Sequence, residues 1–399
     1  MINSGSYVKR CASCLNKSSF SLPSISKKLI YLDQMVVSEI AKVLNPSDRA
    51  NSRVDPYWLE VFEKLDHLVK LQLIVCPQSF THQEESLVAG DRYKPFRRIY
   101  QLLSHGVSFY DSSTIQRFQT HHALLKWLGE SENKNLATND VTNENIDKWQ
   151  SRMLIDVDLA GDRVEEYARQ IREDRQRVIT GFRDICEFWK TQKHKTFTNF
   201  YEDERSAYGV NIIREYERSV QQVAEIELGV RPMDIGVFMS ANSVLMTQLH
   251  RDLERRGVGE NEQFKKTTEF LYSDELKEIP YLKISAMMFA SLARQFSVGG
   301  RTKSLSQGMM NDINVIASLA PYCDVMFMDN ECKTIVSQNQ SKVGLSLKAR
   351  LFSQNKKQGF IDYLDEIENN ADHKHLELVK KVYGEDWGKP YLEIFQHEF

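Results

Sequence analysis

The pattern that most constrains this chain occurs near both of its ends. A short, unbroken apolar run stops at a carboxylate and gives way at once to helical spacing. Leu29-Ile30-Tyr31-Leu32 ends at Asp33, after which Val36, Val37, Ile40, Ala41 and Val43 share one helical face. Far downstream, Val325-Met326-Phe327-Met328 ends at Asp329, ahead of a helix around Glu331 to Ser337. Apolar runs without alternation suit strands buried on both faces, and such strands belong to parallel sheets covered by helices.

Two further runs extend the pattern at the N-terminal end. Leu71 to Val75 reads as a strand closed by Cys76-Pro77, and Val107 to Tyr110 as a third. Between the first two strands, Asp55-Pro56 starts a helix carrying Trp58, Leu59, Phe62, Leu65 and Leu68, with proline suited to the first turn. Asn45-Pro46-Ser47 breaks the helix before it. Thr81-x-x-Glu84 fits a capping box at the next helix start. From residue 112 to 295 strand signals almost vanish, and stretches such as Asp162 to Trp189 are charged and helical in period. Ala349 to Ser353 is expected to form a last short strand. The expected organisation is a weakly ordered lead-in (1–27), an α/β first half (28–111), a helical lobe (112–295), and a second half with C-terminal helices (296–399).

With 41% hydrophobic and 27% charged residues, the composition is that of an ordinary globular protein, and the net charge of −3 argues against a wholly basic nucleic-acid-coating surface. No apolar run approaches the roughly 20 residues that span a bilayer, and no signal-peptide core follows Lys9-Arg10. The six cysteines make no disulfide framework, so reduced thiols in a cytoplasmic protein are expected. Cys11-x-x-Cys14 has the spacing of half a zinc knuckle, without a second pair to complete it.

Four acidic positions stand where such a fold concentrates chemistry: Asp33, Glu84 or Glu85, Asp312 and Asp329. Carboxylates at strand ends and on the helices that follow meet at the crevice where open α/β sheets bind ligands. Gathered there, they repel one another unless hard divalent cations such as Mg²⁺ or Mn²⁺ lie between them. Each position also has a bland reading, since an Asp after a strand is commonly a helix cap. Asp324 precedes its strand and is expected to be structural. Ser38, Asn311 and Asn330 lie near candidate ligands, and Lys94, Arg97 and Arg98, with Arg92, offer phosphate positioning or simply a solvated face. His82, close to the glutamates, reads as a turn residue.

In these segments the chain resembles a PIN-like nuclease domain. The matching pieces are Ile30-Tyr31-Leu32-Asp33, Thr81 to Glu85, Asn311 to Ala317 and Tyr322 to Asn330. The resemblance implies an α/β, mainly parallel sheet split by a large helical insertion. It also implies that Asp33, Asp312, Asp329 and Glu85 (or Glu84) hold one or two Mg²⁺ or Mn²⁺ ions that activate water for phosphodiester hydrolysis. The implied substrate is nucleic acid, single-stranded RNA before DNA. The resemblance does not reach the helical lobe, which is expected to select substrate or engage a protein regulator or a second copy. The rival reading is a non-catalytic PIN-like scaffold. A third comes from Arg117 and His122, whose Arg-x₄-His spacing resembles the metal-independent HEPN ribonucleases.

Overall fold

The computed structural model describes residues 2–390, 392 and 395, apart from 4, 12, 46–53, 91–92, 131–135, 152–163 and 239. The break expected at Pro46-Ser47, the basic residue Arg92 and the helix start at Asp162 lie outside the described residues.

The chain is an α/β protein. Strands β1 (Ile2–Asn3), β2 (Ser6–Arg10) and β3 (Lys17–Ser21) form a three-stranded antiparallel sheet. It lies inside the segment expected to be a weakly ordered lead-in. The polar sequence hides these strands, whose cross-strand partners Tyr7 and Phe20 stack at 6.4 Å. Strands β4 (Lys28–Leu32), β5 (Ile74–Val75), β6 (Val325–Phe327) and β7 (Arg350–Phe352) form the main sheet. Its order is β5-β4-β6-β7 and every pair is parallel.

Both faces of this sheet are covered, as unbroken apolar runs require. One side chain set, Ile30, Leu32, Ile74, Val325 and Phe327, packs against α1 (Gln34–Leu44), α2 (Tyr57–Lys70), α4 (Tyr93–Ser104) and α13 (Gln358–Asn369). Between α2 and α4 comes α3 (Phe80–Val88). The alternate set, Leu29, Tyr31, Val75, Met326 and Met328, packs against α10 (Pro280–Ser297), α11 (Gln307–Leu319) and α12 (Asn330–Asn339).

Two expected strands are shorter than the sequence suggests. In Leu71 to Val75 only Ile74 and Val75 are strand, because Leu71 still caps α2 and Gln72 turns the chain at φ +62°. The buried Gln72 amide is held by Gln150 and by the carbonyls of Val69 and Lys70. Val107 to Tyr110 forms no continuous strand. It makes single bridges, Ser108 to Gln78 in parallel and Phe109 to Thr142 antiparallel.

The middle of the chain is predominantly helical among the described residues: α5 (Ser112–Trp127), α6 (Val164–Thr191), α7 (Phe197–Glu227), α8 (Ala241–Glu254) and α9 (Glu260–Leu271). A second core, with Leu124, Ile212, Met246 and Phe270, joins α5 and α7 to α9. At Gly209 an added Cβ would stand 1.9 Å from the Leu271 carbonyl oxygen, so only glycine permits this approach of α7. Helix α10 ties the two cores together: Leu282 belongs to the helical one, whereas Ile284 to Phe296 belong to the sheet. At the C-terminal end α14 (His373–Tyr383) packs on Leu22 and Trp149. No described helix is long and apolar enough to cross a membrane.

Candidate active site

In this sheet the chain moves from β4 to one side for β5, then returns across β4 to place β6 on the other side. The crossovers therefore diverge between β4 and β6, which is where open α/β sheets leave a crevice at the carboxyl ends of their strands. Leu32 pairs with Phe327, so Asp33 and Asp329 follow neighbouring strand ends and flank that crevice. Each is also the N-cap of the next helix. Asp33 Oδ1 accepts the Met35 N–H at 2.8 Å and Asp329 Oδ1 accepts the Glu331 N–H at 2.6 Å. Capping and ligand binding are thus compatible, because one oxygen of each carboxylate has no hydrogen-bond partner among the described residues.

Asp312 arrives from α11, whose start is set by Ser306 accepting the Met309 N–H. Its carboxyl pKa is pushed up to about 8, first by burial and then by the charges of Asp33, Glu85 and Asp329. Asp33 is raised as well, by burial and by Asp329, against the pull of the Met35 N–H. Four carboxylates from four separate segments therefore share one electrostatic neighbourhood. Among the described ion pairs none involves Asp33, Asp312 or Asp329.

The register of α3 sets the two glutamates apart. The helix begins one residue before Thr81, and the capping box expected at Thr81/Glu84 is instead Ser79/His82. Ser79 Oγ accepts the His82 N–H, while His82 Nδ1 accepts the Ser79 N–H at 3.1 Å. This puts His82 and Ser86 on the buried face and Glu85 beside them, within reach of Asp312, Tyr31 and Tyr100. Glu84 is not among the charges acting on those groups.

Below the carboxylates lies a stack that the sequence did not reveal. The His82 ring is sandwiched between Tyr31, at 5.1 Å, and Tyr100, at 4.8 Å. With Nδ1 accepting from Ser79, Nε2 carries the proton and donates to the Tyr31 hydroxyl at 3.2 Å. Burial pulls the His82 pKa down to about 3, so the ring is neutral and structural, more than a turn residue. Burial and the adjacent carboxylates push both tyrosines well above their usual range. The Tyr100 hydroxyl donates to Gln34 Oε1 at 2.8 Å, and among the described residues neither the buried Gln34 Nε2 nor the Ser86 hydroxyl has a partner. The Cys332 thiol is close by, and burial together with Asp312 and Asp329 raises its pKa, so it stays a neutral SH against Met309.

Cationic residues are carried by two of the helices that bring site residues together. Helix α4, which delivers Tyr100, also carries Lys94, Arg97 and Arg98. On α12, Lys333 is one turn beyond Asp329, and burial and the neighbouring Lys356 lower its pKa. Asn330 Oδ1 accepts the Asn355 N–H, and Asn311 Oδ1 accepts from Gln307. Ser38, within α1, makes no hydrogen bond to the carboxylates among the described residues. Asp324 is at the opposite end of the strands, as expected, where its carboxylate accepts the Leu29 N–H and pairs with Lys28 and Lys348. Arg117 bonds Thr114, His121 pairs with the buried Asp252 at 2.7 Å, and His122 bonds the Phe118 carbonyl. Cys11 and Cys14 are exposed in the β2–β3 turn, and the other four cysteines are buried.

The donor chemistry fits a hard divalent cation: all-oxygen ligands, partly buried, with no ion pair to Asp33, Asp312 or Asp329 among the described residues. The carboxylates are spread, however. Among the described residues no three His, Cys, Asp or Glu side chains stand close enough to hold an ion together. No family model, characterised protein or solved structure matches this chain.

Proposed function

We propose that this chain is a PIN-like, metal-dependent nuclease that hydrolyses phosphodiester bonds of single-stranded RNA. The observation that carries this reading is that Asp33 and Asp329 flank the topological switch point and, with Glu85, act on the buried Asp312 carboxyl, which is pushed up to about 8. Such crowding costs stability, and perturbed carboxylates in a crevice mark functional sites more often than structural ones.

In this reading Asp33, Asp312, Asp329 and Glu85 would hold one or two Mg²⁺ or Mn²⁺ ions. A bound ion supplies an acidified water and offsets the charge that develops on the phosphorane. The caps on Asp33 and Asp329 fix one oxygen of each carboxylate and so orient the other. The Tyr31–His82–Tyr100 stack keeps the floor of the crevice uncharged and dry, which strengthens every electrostatic contact above it. Lys333 and the basic face of α4 draw the phosphate backbone towards the acidic floor.

The test is cleavage of a single-stranded RNA in Mn²⁺ by the full chain, alongside Asp33→Asn and Asp312→Asn. The expected result is cleavage by the parent, none in EDTA, and none by either variant although both remain folded. Equal cleavage by all three, or activity that persists in EDTA, would overturn the reading.

A further inference from the structure

A cleft of about 480 Å³ opens beside the carboxylates, between the starts of α3 and α5 and the flank of α11. The same two helices build both places. Phe80 opens α3 and lines the cleft, and Glu85 follows five residues on, about 7.5 Å along the axis. On α11, Asn311 and Asn314 line the cleft, whereas Asp312 between them belongs to the carboxylate cluster.

The walls have a definite chemistry. Phe80 is 53% exposed and Tyr110 37% exposed, so two aromatic rings stand in water instead of in a core. Tyr110 is braced edge-on by Phe118 at 5.7 Å. The Asn314 Oδ1 accepts the Tyr281 hydroxyl at 2.8 Å and the Asn311 Oδ1 accepts from Gln307 at 2.9 Å. Those bonds orient both amides and leave their Nδ2 groups as donors with no acceptor among the described residues. Among the described residues no lysine or arginine lines the cleft, and the one carboxylate lining it, Asp111, accepts from Thr114 and Ser113 as the α5 cap. A phosphate would face Asp111, and the nearest described cation along the chain, Arg117, is already engaged with the Thr114 hydroxyl. A flat, uncharged ring with carbonyl acceptors fits both the aromatic walls and the amide donors.

We infer that this cleft seats one base of a single-stranded RNA, the base adjoining the phosphate held at the carboxylates. The inference rests on the nuclease reading and adds to it a subsite with residues of its own. Stacking on aromatic walls tolerates every base, because each has a π-face, and the asparagine donors favour bases that present a carbonyl.

The test uses the Asp312→Asn chain, in which cleavage is expected to be lost, and a fluorescein-labelled RNA decanucleotide in Mg²⁺, with binding by this chain established first. Phe80→Ala in that background should weaken binding by about 10-fold, in line with loss of one stacked base, and Phe80→Trp should restore it. A decanucleotide carrying 5-iodouridine should photocrosslink to Phe80 or Tyr110, a result that a purely structural role would not produce. If the parent cleaves RNA, yet Phe80→Ala and Tyr110→Ala bind normally and crosslinks fall elsewhere, the base seat is wrong and the nuclease reading stands. If the parent neither binds nor cleaves RNA, the nuclease reading falls and the base seat with it.

Discussion

Asp312→Asn should make the metal-free protein more stable, not less. The folded Asp312 carboxyl titrates at about 8 against an ordinary value of 3.8, because burial and three neighbouring carboxylates disfavour its charge. Between those two values the folded chain keeps a proton that the unfolded chain has released. Stability therefore falls as pH rises through that window, by up to about 1.4 kcal/mol per pH unit, and levels off above it. At pH 7 the full penalty has a ceiling of about 4 kcal/mol, and relaxation and water entry reduce it to about 2 kcal/mol. Asparagine has nearly the same shape and carries no charge to suppress. Urea unfolding in EDTA, followed by fluorescence, should show the variant and parent nearly equal at acidic pH. The variant should lead by about 2 kcal/mol at neutral pH and by more in mild alkali. Adding Mn²⁺ should reverse the order, since a ligand that binds only the folded parent stabilises it by mass action. A variant less stable than the parent by the same amount at every pH would refute the reasoning, for it would mean Asp312 is held by contacts and not strained by charge.

Glu85→Gln should lower Mn²⁺-dependent cleavage by about 10-fold or more, whereas Glu84→Gln should leave it nearly unchanged; steady-state rates of the two variants make the comparison. Tyr31→Phe removes one of the groups bonded to the buried His82 ring, the Leu32 carbonyl remaining, and urea unfolding should show a loss of about 1 kcal/mol. Phe327→Ala empties a site fully buried between Trp58 and Phe360, at 5.6 and 5.2 Å, and should cost about 3–5 kcal/mol in the same assay.

How much of this was legible in the sequence depended on how local each feature is. β4 and β6 could be read directly, since a continuous apolar run buried on both faces carries its own signature. Asp33 and Asp329 came with them, because the residue after a strand is placed by the strand itself. β5 was misjudged in length, as apolar content cannot reveal that Gln72 occupies a left-handed turn secured by Gln150, distant in sequence. The N-terminal sheet was missed for the opposite reason: its strands are polar and mostly exposed, so they hold together by pairing and not by a buried face.

By itself, then, the sequence determined the alternation of strand and helix, the parallel character of the main sheet, and which acidic residues follow its strands. All of these follow from hydrophobic periodicity and chain connectivity over a few residues. Only the tertiary structure decided which glutamate joins the cluster, because one residue of shift in a helix start turns a side chain by about 100°. It alone brought Asp312 from the far side of the helical lobe to Asp33, stacked Tyr31, His82 and Tyr100 beneath them, and left Phe80 and Tyr110 facing an open cleft. Those are contacts between segments far apart along the chain, and burial and charge at such contacts are set by neighbours that no local pattern names.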